Sequence, residues 1–263
     1  MNIMFLLTAL IINLFINAVI FWLLSDREIN FFQAIKLTSV IGAMNKLLLT
    51  GSGYLAMTWK LKEYDFPVTK SIPVFSLFEL VSLAPWLVSG FYFGAKAAIK
   101  IPVFFIVGAA IILIFTLFKI KKAKEFLIES LNYLKKIIPN IPLIIPLILV
   151  NVSLSLAYYY FLFGSFGIVF SIWEVFRMVS IAITIGYLSP SPSGLGFKEG
   201  SLVFLLMQNN ISLKSSISIA IADRLIVTIL YAVLGLFFGW GMFKNNLKSR
   251  FNIRYFENSR KLS

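Results

Sequence analysis

Long apolar runs separated by short clusters of charge set the organisation of this chain. Ile3–Leu24 is apolar throughout and long enough to cross the hydrocarbon core, which takes about 20 residues. No basic residue precedes it and no small-residue cleavage site follows, so it reads as a retained span and not a signal peptide. After the polar loop SDREIN, Phe31–Leu61 is interrupted at Thr50, Gly51, Ser52 and Gly53, just beyond Asn45 and Lys46. It is too broken for one span and too short for two, which predicts a re-entrant helical hairpin over about 31–61. Ile72–Gly94 and Ile101–Phe118 predict further spans. In Lys119–Lys136 the lysines alternate with Phe126, Leu127, Leu131 and Leu134 at helical spacing, as in an amphipathic helix lying among headgroups. Ile141–Phe163 spans again despite Pro142 and Pro146. Gly167–Leu188 and Phe197–Gln208 flank a second break, a hairpin over about 167–208, and Leu213–Phe243 closes the membrane part.

The expectation is an all-α polytopic membrane protein: about five full spans, two re-entrant hairpins and one surface helix. A single transmembrane domain covers 1–243, and a basic tail covers 244–263.

The second break, LSPSPSGLGFKEGS, holds the chain's densest set of helix-breaking residues. Pro190 and Pro192 remove backbone donors and turn the residues before them away from helix. Gly194 and Gly196 permit left-handed backbone and close approach. At membrane depth such a break is tolerated only where it faces protein or a wet cavity. It is therefore the first candidate for a working site.

Composition agrees with the pattern. The 263 residues are 59% hydrophobic and 13% charged, more apolar surface than a soluble domain could hide. The net charge of +13 lies mostly between and beyond the apolar runs, which points to anionic lipid headgroups and away from nucleic acid. With no cysteine and no histidine, thiol nucleophiles, imidazole bases and the usual zinc sites are excluded, and no cofactor or metal is expected. If both hairpins return to the side they leave, sixteen Lys and Arg of the loops and tail fall on one face and three on the other. The basic face is then cytoplasmic, C-terminus included, in a multi-pass protein of the cell membrane.

The two breaks are similar to each other. Gly51-Ser-Gly53-Tyr54 aligns with Gly194-Leu-Gly196-Phe197, and Glu79 and Asp223 follow 28 and 29 residues after Gly51 and Gly194. With opposite orientations this predicts an inverted repeat, an arrangement that places substrate between broken helices near the bilayer midplane. Each ionised group near the bilayer centre costs roughly 2.5–3.5 kcal/mol, so those within the apolar segments need partners or water. Glu174 and Arg177, three apart, can pair on one helix. Lys198–Glu199 and Asp223–Arg224 are adjacent, so the members of each pair point apart, toward other segments or a ligand. Asn45 and Lys46 suit either a headgroup phosphate or the capping and hydration of a helix end.

PSPSGLGFKEG followed by ADRLIVTILYAVLGLFFG resembles the signature of the membrane-embedded half of bacterial lysylphosphatidylglycerol synthases and their stand-alone, flippase-like relatives. Pro190, Pro192, Gly194, Gly196, Glu199 and Arg224 match the pattern, with Ser193 replacing one glycine. At the first break Asn45, Gly53 and Lys60 fit, but the proline is missing and Tyr54 stands where an acid is expected. The resemblance implies two re-entrant hairpins and movement of an amphiphilic phospholipid or polyprenyl-linked lipid between leaflets. It does not imply synthesis of lysylphosphatidylglycerol, because the sequence carries no aminoacyl-transfer domain.

In that reading Lys198 and Arg224 add charge at the headgroup, and Glu199 and Asp223 orient them. Asn45, Gly51, Gly53 and Glu79 line the first half of the site; Pro190, Pro192, Gly194 and Gly196 line the second. Two rival readings remain: a membrane subunit accompanying a glycosyltransferase through the basic tail and surface helix, and an intramembrane lipid-phosphate enzyme with Glu199 or Asp223 as base.

Overall fold

The structure, a computed structural model, describes residues 3–47, 52–62, 66–96, 121–189, 191 and 194–260. The expected span Ile101–Phe118, with Gly51, Pro190 and Pro192, lies outside the described residues. Among the described residues every regular element is helical: α1 (Ile3–Leu24), α2 (Phe31–Leu47), α3 (Ser52–Lys62), α4 (Val68–Lys96) and α5 (Lys121–Ile137). A 3₁₀ turn (Ile138–Asn140) leads into α6 (Ile141–Ser165), followed by α7 (Ile172–Leu188), α8 (Phe197–Gln208) and α9 (Leu213–Arg260). Among the described residues four helical runs are long and apolar enough to cross a membrane: Ile3–Leu24, Val68–Gly94, Ile128–Ser165 and Leu213–Trp240. The last helix continues past the predicted limit of Phe243, so the segment read as a tail extends α9.

Among the described residues two large apolar clusters organise the bundle, with a small third one of Leu14, Ala18 and Ile35. In the first, Ile20–Leu24 of α1 and Val74–Phe78 of α4 enclose Leu37, Ile41, Met57 and Leu61 of α2 and α3. In the second, Leu6 and Ala9 of α1 and Trp86 and Phe93 of α4 enclose Val175–Ala182 of α7 and Leu202–Leu206 of α8. Thus α1 and α4 run through both clusters, and each short helix pair belongs to one. Between the clusters the sequences of α1 and α4 turn polar, at Asn13 and Asn17 and at Glu79 and Ser82.

Small residues draw the remaining helices close. A Cβ on Gly235 of α9 would stand 2.3 Å from that of Ala43 in α2, and one on Gly42 would meet the Tyr231 ring at 2.4 Å. Such contacts let helices associate where lipid removes the hydrophobic drive.

Both ends of the α2–α3 pair lie at one end of the bundle. Glu28, just before α2, meets Lys70 at the start of α4 at 2.6 Å and Lys136 of α5 at 3.1 Å, and Asp26 meets Lys136 at 2.7 Å. Helix α5 is amphipathic as expected, with Ile128 and Leu131 exposed and Ser130, Tyr133 and Ile137 buried. Glu174 departs from its expected pairing with Arg177. It closes a reciprocal cap with Ser171 at the start of α7, accepting from the Ser171 N–H and hydroxyl at 2.8 Å each, because first-turn amides otherwise lack partners.

The Glu28 carboxyl is pushed up by partial burial, but the hydrogen bonds and charges of Lys70 and Lys136 outweigh this and hold it below its ordinary 4.5. A lowered folded value contributes stability that is complete above pH 4.5 and lost as pH falls through the folded value. Thermal unfolding of the detergent-solubilised protein should therefore weaken on acidification through pH 4, and Glu28→Gln should reduce that dependence while lowering stability at pH 7.

Candidate functional site

Between the two clusters lies a cavity of about 340 Å³, lined from α1, α2, α3, α4, α6, α7, α8 and α9. Its wall on α1 and α6 is a chain of amides. Asn17 donates to Asn13 at 2.9 Å, Asn13 donates to Ser155 at 3.2 Å, and Asn151 donates to Asn17 at 2.9 Å. The i, i+4 spacing of Asn13 with Asn17 and of Asn151 with Ser155 puts each pair on one helix face, so the bonds cross the helix boundary.

The second break is built by close backbone approach. Gly194 has φ +68°, and a Cβ there would stand 2.6 Å from the Gly186 carbonyl oxygen. A Cβ on Gly186 would meet that of Lys198 at 2.7 Å, so bare backbone at the end of α7 lets the start of α8 pass beside it. Gly196, with φ +82°, then opens α8.

From this turn the adjacent charges diverge, as their adjacency on a helix requires. Lys198 reaches Asp223 of α9 at 2.8 Å, with its ammonium 5.5 Å from the centre of the Tyr159 ring. Asp223 is almost wholly buried and also accepts from Tyr158 at 3.1 Å and Tyr159 at 3.3 Å. Three donors on one carboxylate offset much of the cost of removing it from water. Glu199 accepts from the Gly196 N–H at 2.8 Å with one oxygen, capping α8, and from Arg224 at 3.2 Å with the other. Arg224 further reaches the Lys46 carbonyl at 3.5 Å, where α2 ends. Lys198 thus lines the cavity with a carboxylate against it, whereas Glu199 and Arg224 join the second break to the end of α2.

At the first break Asn45 accepts from the Gly53 N–H at 3.0 Å, a cap on α3, and also lines the cavity. A Cβ on Gly53 would stand 2.6 Å from the Ile41 carbonyl oxygen, which explains glycine there. Glu79 accepts a hydrogen bond from Tyr54 of α3 and lies beside Tyr187 of α7, so one carboxylate on α4 stands next to both short helix pairs. Lys46 lines the same cavity without an ion pair among the described residues. Ser82 lines it too, and its buried hydroxyl has no partner among the described residues.

The sequence analysis did not single out Asn13, Asn17, Ser155, Tyr158, Tyr159 or Tyr187. The signals were present: amides four apart in the first span, and the run Tyr158-Tyr159-Tyr160 in an otherwise apolar helix. No group of three or more metal-ligating side chains occurs among the described residues.

Helices of spanning length around a polar chamber define a multi-pass helical membrane protein. Its sequence matches the family described as the lysylphosphatidylglycerol synthase TM region over residues 1–235, and the chain belongs to that family. No curated protein and no solved structure matches the chain.

Removing one member of the buried pair leaves the other uncompensated. Asp223→Asn should lower folding stability by about 3–5 kcal/mol, and adding Lys198→Met to it should recover part of the loss. Gly194→Ala, forced into left-handed backbone against a carbonyl, should cost more than the roughly 1–2 kcal/mol of the conformation alone. Chemical or thermal unfolding in detergent measures all three.

Proposed function

We propose that the protein binds the polar headgroup of an amphiphilic lipid, a phospholipid or a polyprenyl-linked lipid, in this cavity and moves it between leaflets while the tails stay in the bilayer. The observation that carries the reading is a chamber lined by Lys46, Glu79, Lys198 and a chain of asparagines inside an otherwise lipid-compatible bundle. Intramembrane ionisable groups around a cavity mark substrate pathways more often than structural positions. At 340 Å³ the cavity stands near the lower end of the roughly 300–1,000 Å³ typical of small-molecule sites, room for a headgroup and not for acyl chains.

In this proposal α2–α3 and α7–α8 are re-entrant hairpins related as an inverted repeat. At about 1.5 Å per residue, the 11 residues of α3 and 12 of α8 extend about 16 and 18 Å, short of a bilayer core of about 30 Å. Both pairs contact Glu79 on α4, which supports a site shared between them. The protein sits in the cell membrane, with anionic lipids as partners and the basic loops and C-terminus in the cytoplasm, in keeping with the excess of Lys and Arg on that face.

The test is leaflet exchange of fluorescent phosphatidylglycerol and a short polyprenyl phosphate in liposomes holding purified protein. Wild type should accelerate exchange. Leu83→Trp, which fills the cavity from α4, should return the rate to that of empty vesicles while leaving the melting transition in place. No exchange of either lipid by folded wild-type protein would reject transport and turn attention to an accessory role beside a membrane enzyme. A chemically altered lipid would favour catalysis.

A further inference from the structure

Resting on the headgroup reading above, we infer that Lys46 is the anion-holding residue of the cavity and that its ligand is a phosphodiester carrying a single negative charge. Among the described residues, three ionisable side chains other than tyrosines line the chamber: Lys46, Glu79 and Lys198. Lys198 is committed to Asp223 at 2.8 Å, and the two tyrosines on Asp223 fix that carboxylate further. Arg224, the remaining cation of the motif, lies outside the lining and holds Glu199 and the end of α2. Glu79 accepts from the Tyr54 hydroxyl and has Tyr187 beside it. Lys46 alone among the lining cations has no carboxylate within ion-pairing distance among the described residues.

An ammonium held out of bulk water with no carboxylate in direct contact among the described residues destabilises the empty protein, and an arriving anion reduces that cost. A second observation points the same way. The Ser82 hydroxyl, on the lining and one turn beyond Glu79, is buried with no hydrogen-bond partner among the described residues. A phosphate oxygen can accept from it. One uncommitted cation offsets one negative charge. A phosphomonoester or diphosphate would bring a second charge into a low-dielectric chamber that already holds Glu79, with nothing left to balance it.

Binding is measured by calorimetric titration of the full chain in detergent with three probes: dihexanoyl phosphatidylglycerol, dihexanoyl phosphatidic acid at pH 8, and glycerophosphoglycerol, the soluble phosphodiester without acyl chains. Phosphatidylglycerol should bind tightest. Lys46→Gln should weaken its binding about tenfold or more, Lys46→Arg should retain it, and Ser82→Ala should lose a smaller factor. Since Lys46→Gln removes an unpaired charge, the empty variant should melt at or above the wild-type temperature, so lost binding is not lost folding.

Equal phosphatidylglycerol affinity in wild type and Lys46→Gln would overturn the assignment of Lys46. Tighter binding of phosphatidic acid would overturn the single-charge selectivity, and equal binding of glycerophosphoglycerol would make the ligand a soluble phosphodiester and not a lipid. The liposome assay separates this from the transport reading. Lys46-dependent binding without leaflet exchange leaves the anion site standing and rejects transport. Exchange unaffected by Lys46→Gln does the reverse.

Discussion

The fold depends on a rule of low-dielectric media: a charge must meet its opposite, collect donors, or reach water. Asp223 shows the rule most completely. It sits in the longest helix with almost no exposure and gathers Lys198 from α8 and two phenols from α6. Three segments that are distant in sequence are tied at one carboxylate. Breaking that tie would free an ammonium and two phenols as well as the acid, so the cost is shared by three helices. Position and orientation of the second break follow from it, because Lys198 cannot reach Asp223 unless α8 starts where the Gly186–Gly194 contact puts it.

Charge pairing also divides labour among the polar residues. Lys198, Asp223, Glu199 and Arg224 are bound mainly to one another and fix helices. Glu79 takes a hydrogen bond from Tyr54 of α3 and stands beside Tyr187 of α7. The asparagine chain on α1 and α6 gives the chamber a neutral wall whose donors are largely spent on neighbouring side chains and carbonyls. The motif that dominates the sequence therefore builds the frame, and the groups with chemistry to spare, Lys46 and Ser82, come from the quieter half of the chain.

Much of this was legible before the structure. Helix positions follow from apolar run length, and the divergence of Lys198–Glu199 and Asp223–Arg224 follows from adjacency on a helix. Residue patterns alone also placed Gly53, Gly194 and Gly196 at breaks, where close approach and positive φ now account for them. The partners were not legible, because pairing across 25 residues depends on the angle between α8 and α9, which no local pattern encodes. Glu174 and Arg177 mislead for a related reason: spacing allows their pairing, but the nearby Ser171 offers the carboxylate better-aligned donors. Tyrosines and asparagines escaped notice because in an apolar run they read as interfacial or incidental. Tyr54 is the instructive case. It occupies the place of an expected acid, and the structure pairs its hydroxyl with the acid of another helix, Glu79.

Helices α1 and α4 each contribute to both apolar clusters and to the chamber between them. The two halves of the molecule consequently share a housing. Helix α6 also joins both clusters, through Ile144 and through Tyr158 and Phe163, and lines the chamber. Rocking one half against the other would shear packed side chains along three shared helices at once, which close-packed interiors resist. The short helices α3 and α8 belong to one cluster each and end at glycine-rich turns. In the proposed transport such a protein would work as a valve with light moving parts in a fixed body, and substitutions that slow it should concentrate in those turns and not in the spines.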